Sequence, residues 1–446
     1  MKKINVLQVC SYLGLGGIQK SLQIITKYLD RSIFNVSVCV LVPGGVRERA
    51  IKEMGIKVYN VDKSPEKFAK LIEDEKIRIV HFHGGEKEFP VFIKAAKEAG
   101  ALAIILMDVA GKIIDPETSK LIDRHLISKM IALRYKKWYK VSSEEFHKNC
   151  RVLYYPIDLD KTKHFKISSD EILRERKKLG MEPNDLVIGG IGRPDISKWG
   201  DIVGIISHLI KRVPNVKYLA MGLPELKKME IRKRNLDKYF VYLSPDPNVA
   251  KFYCLIDIFA LSSSRGGETF GRTVAEAMSY KKPVVVRSTP LADNAQIELV
   301  DNGKTGFVVY SPNAFAEAIA YLASNRAVAR RMGLAGYAKV KRGYEAKKIT
   351  KMLEKRILEL LIARGMKIHQ KILRKYEKIS QFPSRKNIDD FEVEYERRLR
   401  DCVGKPDLIK ILVGKHVAFS PLIRKFIRSV RFTNFRNTIM RFRERR

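Results

Sequence analysis

Two glutamates, Glu268 and Glu276, stand with seven residues between them in the stretch Ser263-Ser264-Arg265-Gly266-Gly267-Glu268-Thr269-Phe270-Gly271-Arg272-Thr273-Val274-Ala275-Glu276-Ala277-Met278. The first half of that stretch is rich in glycine and the second has helical spacing. A glycine turn that opens a helix offers unpaired backbone N–H groups and the positive end of the helix dipole, a seat for phosphate. Two carboxylates beside such a seat can accept hydrogen bonds from hydroxyls. The stretch therefore suits one ligand that carries both phosphates and hydroxyls. Two plainer readings stay open from these residues alone: the glycines make only a turn, and Glu276 is a solvated helix residue.

Those side chains need elements to hold them. Residues 256–261 read as a buried strand, 272–280 as an amphipathic helix and 283–286 as the next strand, a βαβ unit. Upstream, a strand over 185–192 ends at Arg193, followed by Pro194-Asp195-Ile196-Ser197-Lys198. Arginine offers phosphate a rigid two-pronged contact, and lysine a mobile point charge. The pattern continues with a helix over 201–212, strands over 216–221 and 239–243, a helix over 248–254, a strand over 305–309 and a helix over 312–322.

The first half alternates in the same way, as a parallel sheet covered on both faces requires. Its expected strands cover 4–10, 35–42, 57–60, 78–83 and 101–107, with helices over 18–29, 65–74 and 89–99. Between the first strand and helix lies Gly14-Leu15-Gly16-Gly17-Ile18-Gln19-Lys20. It is not a dinucleotide fingerprint, because Lys20 stands where the third glycine belongs. Gly16 and Gly17 allow a backbone to come close to anionic oxygens, although a tight turn alone would also use them. His81 and His83 share one face of the 78–83 strand by period-two alternation, and His83 ends it before Gly84-Gly85. A His-x-His pair can bind metal, but no third ligand is evident nearby, so no metal site is expected.

The chain has 446 residues, enough for two domains and an appendage. Its formal net charge of +37 implies attraction to an anionic nucleotide, lipid surface or nucleic acid, although lysine-rich surfaces also mark proteins from hot environments. Cys10, Cys39, Cys150, Cys254 and Cys402 are scattered without CxxC spacing and read as buried thiols in a reducing compartment. Met-Lys-Lys runs straight into a strand too short for a signal peptide, and no stretch reaches the ~18–20 apolar residues of a spanning helix. These features predict a cytoplasmic protein, or one peripheral to the cytosolic face of a membrane.

Glu-x7-Glu with Phe-Gly after the first glutamate and Ala-Met after the second resembles the signature of family 4 glycosyltransferases. Gly16-Gly17, the Gly192-Arg193 turn with Lys198, and the 305–309 strand are similar to further segments of that family. The resemblance runs over about residues 4–345, dense in the second half and sparse in the first. It implies an α/β protein of GT-B architecture, with two doubly wound Rossmann-like domains facing a cleft and a basic helical C-terminal extension. The corresponding domains are 1–163 (acceptor side), 164–345 (nucleotide-sugar donor) and the extension 346–446.

The same resemblance implies retaining, metal-independent transfer of a sugar from a nucleotide-diphosphate donor, with no cofactor. It places Glu268 against the donor sugar and Glu276 on the ribose. Phe270 and the Gly271-Arg272-Thr273 backbone fall at the diphosphate, with Arg193 and Lys198 neutralising it. Gly16 and Gly17 face those phosphates across the cleft, His83 lies in the cleft, and Ser244-Pro245 lie near the base. The departing phosphate takes the acceptor's proton. The chain departs from the pattern after the fifth strand, where Asp108 follows Met107 and the usual histidine is missing. It departs again at Pro156-Ile157-Asp158, where Asn-Gly is absent, and the polar stretch 160–169 reads as a linker. The acceptor stays unidentified. A GT-B epimerase or phosphorylase, or an inactive basic binding protein, are the alternatives.

Residues 351–446 hold 26 Lys plus Arg against 11 Asp plus Glu. The segment 349–379 keeps helical spacing and is expected to pack on the body, with a linker over 381–387; the resemblance implies that its start crosses back to the first domain. Near the end, Leu422, Ile423, Phe426, Ile427 and Val430 share one helical face flanked by Arg424, Lys425, Arg428 and Arg431. That layout suits an anionic membrane surface. Packing against protein is the alternative, and nucleic acid is disfavoured because no base-reading motif accompanies the charge.

Overall fold

The computed structural model describes residues 3–404 apart from 86, 112–114, 166, 264–266, 380–381 and 384. The amphipathic segment 421–431 and the central part of the glycine-rich loop lie outside the described residues.

Apolar runs with few charges form strands buried on both faces, and the segments between them form covering helices. The first sheet contains β1 (Ile4–Cys10), β2 (Phe34–Val40), β3 (Val58–Asn60), β4 (Ile79–His83), β5 (Ala103–Asp108), β6 (Ile122–Leu126) and β7 (Cys150–Val152). All seven strands are parallel, in the order β3-β2-β1-β4-β5-β6-β7. The second contains β8 (Leu186–Ile191), β9 (Val216–Met221), β10 (Phe240–Leu243), β11 (Ile258–Leu261), β12 (Val284–Arg287) and β13 (Gly306–Val309). It too is parallel, in the order β10-β9-β8-β11-β12-β13. Each sheet reverses its winding once, between β1 and β4 and between β8 and β11. Crevices for ligands form at the carboxyl ends of such strands.

The expected strands and helices of both halves are present, with ends within three residues of those expected. Three segments differ from expectation. The presumed linker 160–169 contains most of a short helix, Leu159–His164, capped by Asp158, whose carboxylate accepts from the Lys161 amide at 3.1 Å. Helix Arg385–Asp389 occupies part of the second presumed linker. Strand β6 reads poorly because Asp123, Arg124 and His125 sit at its centre; all three are buried, Arg124 against Asp108, His125 against Asp123 and Asp123 against Arg356.

The chain passes between the domains twice, and the two crossings are joined. The Ile157 amide donates to the Tyr344 carbonyl at 2.8 Å, and the Ala346 amide to the Ile157 carbonyl at 2.9 Å. Helix Ala346–Ala363 then returns to the first domain, as the resemblance implied. Its Glu354 accepts from the Asp30 amide at 2.6 Å, and Arg356 grips Asp123 through Nη2 at 2.7 Å and Nε at 3.0 Å. Helix Phe391–Arg400 spans both domains: Lys129 and Lys137 of the first pair with Glu394 and Glu392, while Arg398 reaches Asp301 of the second at 3.1 Å. Four of the five cysteines are buried thiols, and Cys254 is half-buried.

His81 and His83 do share a face, with ring centroids 4.1 Å apart, and both are fully buried. Burial drives the His81 pKa well down and the His83 pKa to about 3, helped in each by a neighbouring histidine. An unfolded histidine titrates near 6.5, so between that pH and about 3 the unfolded chain binds a proton at position 83 that the fold refuses. Stability is therefore lost as pH falls through this window. In urea titrations, His83→Gln should show a pH slope shallower by about 1.4 kcal/mol per pH unit between pH 6 and 4. An unchanged slope would mean that His83 is charged in the fold.

Candidate active site

Two loops meet at the reversal point of the second sheet. The loop after β8 enters the short helix Ile196–Trp199, where Asp195 caps the Ser197 amide at 3.0 Å and the Trp199 indole donates to the Arg193 carbonyl at 2.9 Å. That turn aims Lys198 at the loop after β11. Lys198 Nζ lies 2.8 Å from Glu268 Oε1 and donates to the Gly267 carbonyl at 3.0 Å. Ser263 Oγ donates to the same carboxylate oxygen at 3.0 Å. Arg193 is exposed one turn earlier, near enough for its charge to help lower the Asp195 pKa, although the Ser197 amide contributes more.

The Glu268 backbone is held independently of its side chain. Its amide donates to the Asp293 carbonyl at 2.8 Å, and its carbonyl accepts from the Ala295 amide at 2.8 Å. Asp293 is itself ion-paired with Arg134 of the first domain. Gly267 lies at φ +60°, where a Cβ would stand 1.9 Å from the Asp293 carbonyl oxygen. Only glycine fits there.

Gly271, at φ +90°, opens helix Arg272–Ser279 without a side-chain cap. The Arg272 and Thr273 amides, in the first turn, have no acceptor within the helix by geometry. The Arg272 side chain crosses the cleft instead of facing it. Its guanidinium bonds the Pro156 carbonyl at 3.0 Å and the Ser21 hydroxyl, and stacks over Tyr155 at 4.6 Å. Gly17 begins helix Gly17–Tyr28 and Gly16 precedes it as N-cap; a Cβ at Gly17 would stand 3.6 Å from Arg272 Nε. The two expected glycine turns thus confront each other across the cleft.

Glu276 lies one turn into its helix and accepts from the Tyr253 hydroxyl at 3.2 Å. Cations that its sequence neighbours do not reveal face it from the first domain. Lys20 is pushed down to about 8 by burial, against the pull of Glu276, with Lys161, Arg47 and Arg272 also lowering it. Arg47 is pushed down to about 10 by burial, again against Glu276, with Arg272 lowering it further. Lys20 was legible only as the residue that spoils a dinucleotide fingerprint; its place one turn after Gly17 is the signal that aligns it with the cleft. Arg47, in the loop after β2, had no such signal.

Two expected ligand contacts are corrected. Phe270 is 2% exposed, packed against Tyr154, Tyr155 and Tyr344 with centroids at 6.1, 5.5 and 5.6 Å. It anchors the loop rather than lining the cleft. His83 is 1% exposed and shares a 2.6 Å hydrogen bond with Gln8 Oε1, so its ring does not open to the cleft. Asp108 is likewise committed to structure, paired with Arg124 and accepting from the Ala110 and Gly111 amides at 2.9 and 2.8 Å. Among the described residues, no group of three or more His, Cys, Asp or Glu side chains is arranged to hold a metal ion.

Residues 174–339 match the family described as glycosyl transferases group 1. Trehalose synthase of Thermococcus litoralis is 31% identical over 219 residues, 46% of this chain and 51% of that protein. The human alpha-1,3/1,6-mannosyltransferase ALG2 is 29% identical over 139 residues, 31% of this chain and 32% of that protein. The alignment with trehalose synthase thus spans about half the length of that relative. Two solved structures resemble nearly the whole described fold. A glycosyltransferase from Rickettsia africae superposes with TM-score 0.70 at 18% identity, covering 81% of this chain and 99% of its own. Anabaena Alr3699/HepE in complex with UDP and glucose gives 0.65 at 18%, covering 80% and 100%.

The chain has the GT-B fold, and residues 174–339 match, without filling half of the chain, the family model of glycosyl transferases group 1. A change in the loop that presents Glu268 should be costly in this fold. Gly267→Ala is expected to lower stability by about 1–3 kcal/mol in urea titration, because it combines a steric clash with a strained φ. A variant as stable as the parent would show that the loop does not need its contact with Asp293.

Proposed function

We propose that the protein is a glycosyltransferase that moves a sugar, with retention of anomeric configuration, from a nucleotide-diphosphate donor to an acceptor, as family 4 enzymes do. The observation that carries this reading is the meeting of Lys198 and Glu268 at the second sheet's reversal point, beside the uncapped turn at Gly271. A cation, a carboxylate and free helix amides within one loop pair match a ligand with a diphosphate next to a sugar.

In this reading the diphosphate lies over the Gly271-Arg272-Thr273 amides, with Gly16 and Gly17 closing on it from the first domain. Lys198 and Arg193 neutralise the charge that grows on the leaving diphosphate as the glycosidic bond lengthens, which lowers the barrier directly. Glu268 holds hydroxyls of the donor sugar and Glu276 those of the ribose. The departing phosphate accepts the proton of the attacking hydroxyl, so the reaction needs neither a separate protein base nor a metal. Because Alr3699/HepE is described in complexes with UDP and UDP-glucose, a uridine donor is the first to test.

Lys198→Ala should reduce kcat for transfer or donor hydrolysis by ~10²–10³, the usual cost of deleting one group that stabilises developing charge. Glu276→Ala should raise KM for the donor with a smaller change in kcat, since ribose contacts are made equally in ground and transition states. Parent-like kinetics in both variants would remove these roles. Product analysis separates the neighbouring activities, because an epimerase needs no acceptor and a phosphorylase consumes free phosphate.

A further inference from the structure

Helix Gly17–Tyr28 collects positive charge around its first turns. Lys20 lies one turn after Gly17 and is half-buried. Arg47 is buried against the same helix, donating from Nη1 to Gln23 Oε1 at 2.9 Å and from Nε to the Gly14 carbonyl at 3.0 Å. Arg272 arrives from the second domain and bonds the Ser21 hydroxyl. Lys161 is brought alongside by Asp158, which caps helix Leu159–His164 and accepts from Lys27 Nζ and the Tyr28 hydroxyl at 2.8 and 2.6 Å. Cations from four separate segments thus share one neighbourhood.

Glu276 pulls on all four of them. Asp158 and Asp246 pull on Lys161 as well. That is too little to hold the proton on Lys20 at its usual strength. Burial outweighs Glu276 there, repulsion from Lys161, Arg47 and Arg272 adds to it, and the pKa falls to about 8. A second sign of surplus positive charge is geometric. Arg272 Nε is buried beside Gly17 and finds no acceptor among the described residues. A buried N–H without a partner and crowded cations both cost free energy until an anion joins them. Position selects the anion. The cluster adjoins Gly16 and Gly17 and stands across from the uncapped turn at Gly271, where the proposed function puts the diphosphate. Ribose hydroxyls on Glu276 would bring no charge to it, whereas a diphosphate would.

We propose that Lys20, backed by Arg47 and Lys161, is the first domain's direct contact to the donor's diphosphate, so that the leaving group is gripped from both sides of the cleft. This rests on the glycosyl-transfer reading and adds to it a residue and a proton. Lys20 regains its proton when the diphosphate arrives, so donor binding takes up a proton from solvent at alkaline pH.

The test is calorimetry of UDP and of uridine with the full chain at pH 8.5, run in two buffers of different ionisation enthalpy. A terminal phosphate has lost its last proton well below that pH, so any uptake belongs to the protein. With UDP the parent should take up about half a proton or more, because a group of pKa about 8 is mostly uncharged at pH 8.5. With uridine the uptake should be close to zero. Lys20→Arg keeps the charge without titrating, so it should still prefer UDP but show no uptake. Lys20→Met, checked for folding by thermal unfolding, should bind UDP about fivefold more weakly or worse and uridine unchanged. UDP binding without uptake in the parent, or with the same uptake in Lys20→Arg, overturns the proposal and leaves the donor reading standing. So does an unchanged preference for UDP in Lys20→Met, the result expected of a lysine that merely bridges the domains to Glu276. A parent that binds no UDP overturns the donor reading and this proposal together.

Discussion

A lysine from one side of a sheet's reversal point and a glutamate from the other meet at 2.8 Å, and the proposed chemistry depends on that contact. Neither residue is deeply buried, with side-chain exposures of 21% and 14%, so each can exchange its partner for a ligand at modest desolvation cost. The ion pair keeps both groups aimed at one point before any donor arrives. Preorganised charge of this kind lowers a barrier because nothing has to be reoriented as the leaving group develops.

The pair is useful only if the two domains keep their spacing, and much of the remaining structure serves that end. Arg272 leaves the second domain's helix and locks onto Pro156, Ser21 and Tyr155. In the opposite sense, Glu298 of the second domain accepts the amides of Lys129 and Met130 at the start of a first-domain helix, at 3.1 and 2.6 Å, and burial raises its pKa to about 6. Ser128 Oγ reaches the Thr269 carbonyl at 2.8 Å, one residue from Glu268. Helices Ala346–Ala363 and Phe391–Arg400 then strap both domains from outside. The basic extension is therefore part of the protein's frame as far as Gly404, where Val403 pairs with β13 through the Val308 and Tyr310 backbones.

How much of this could be read in advance follows from where the information lies. Parallel strands buried on both faces leave continuous apolar runs, so the βαβ alternation was legible almost throughout. Strand β6 was missed because its polar centre is satisfied by tertiary partners, Asp108 for Arg124 and the distant Arg356 for Asp123, which no local pattern encodes. The meeting of Lys198 with Glu268 was legible because glycine, lysine and glutamate each have a local reason for their place. Phe270 and His83 misled because a residue beside a ligand loop can be there to brace it. Their burial comes from Tyr344 and Gln8, which are distant in sequence. Lys20 and Arg47 were hidden for the converse reason: only the approach of the two domains turns them toward Glu276.

The most direct test compares the affinity of UDP with that of uridine, by calorimetry, in the parent and in Lys198→Met. If the cation at the second sheet's reversal point grips the diphosphate, the parent should prefer UDP by at least about a hundredfold, and most of that preference should vanish in the variant while uridine binds unchanged. An equal preference in both proteins would contradict the account, because the diphosphate would then be held without the lysine.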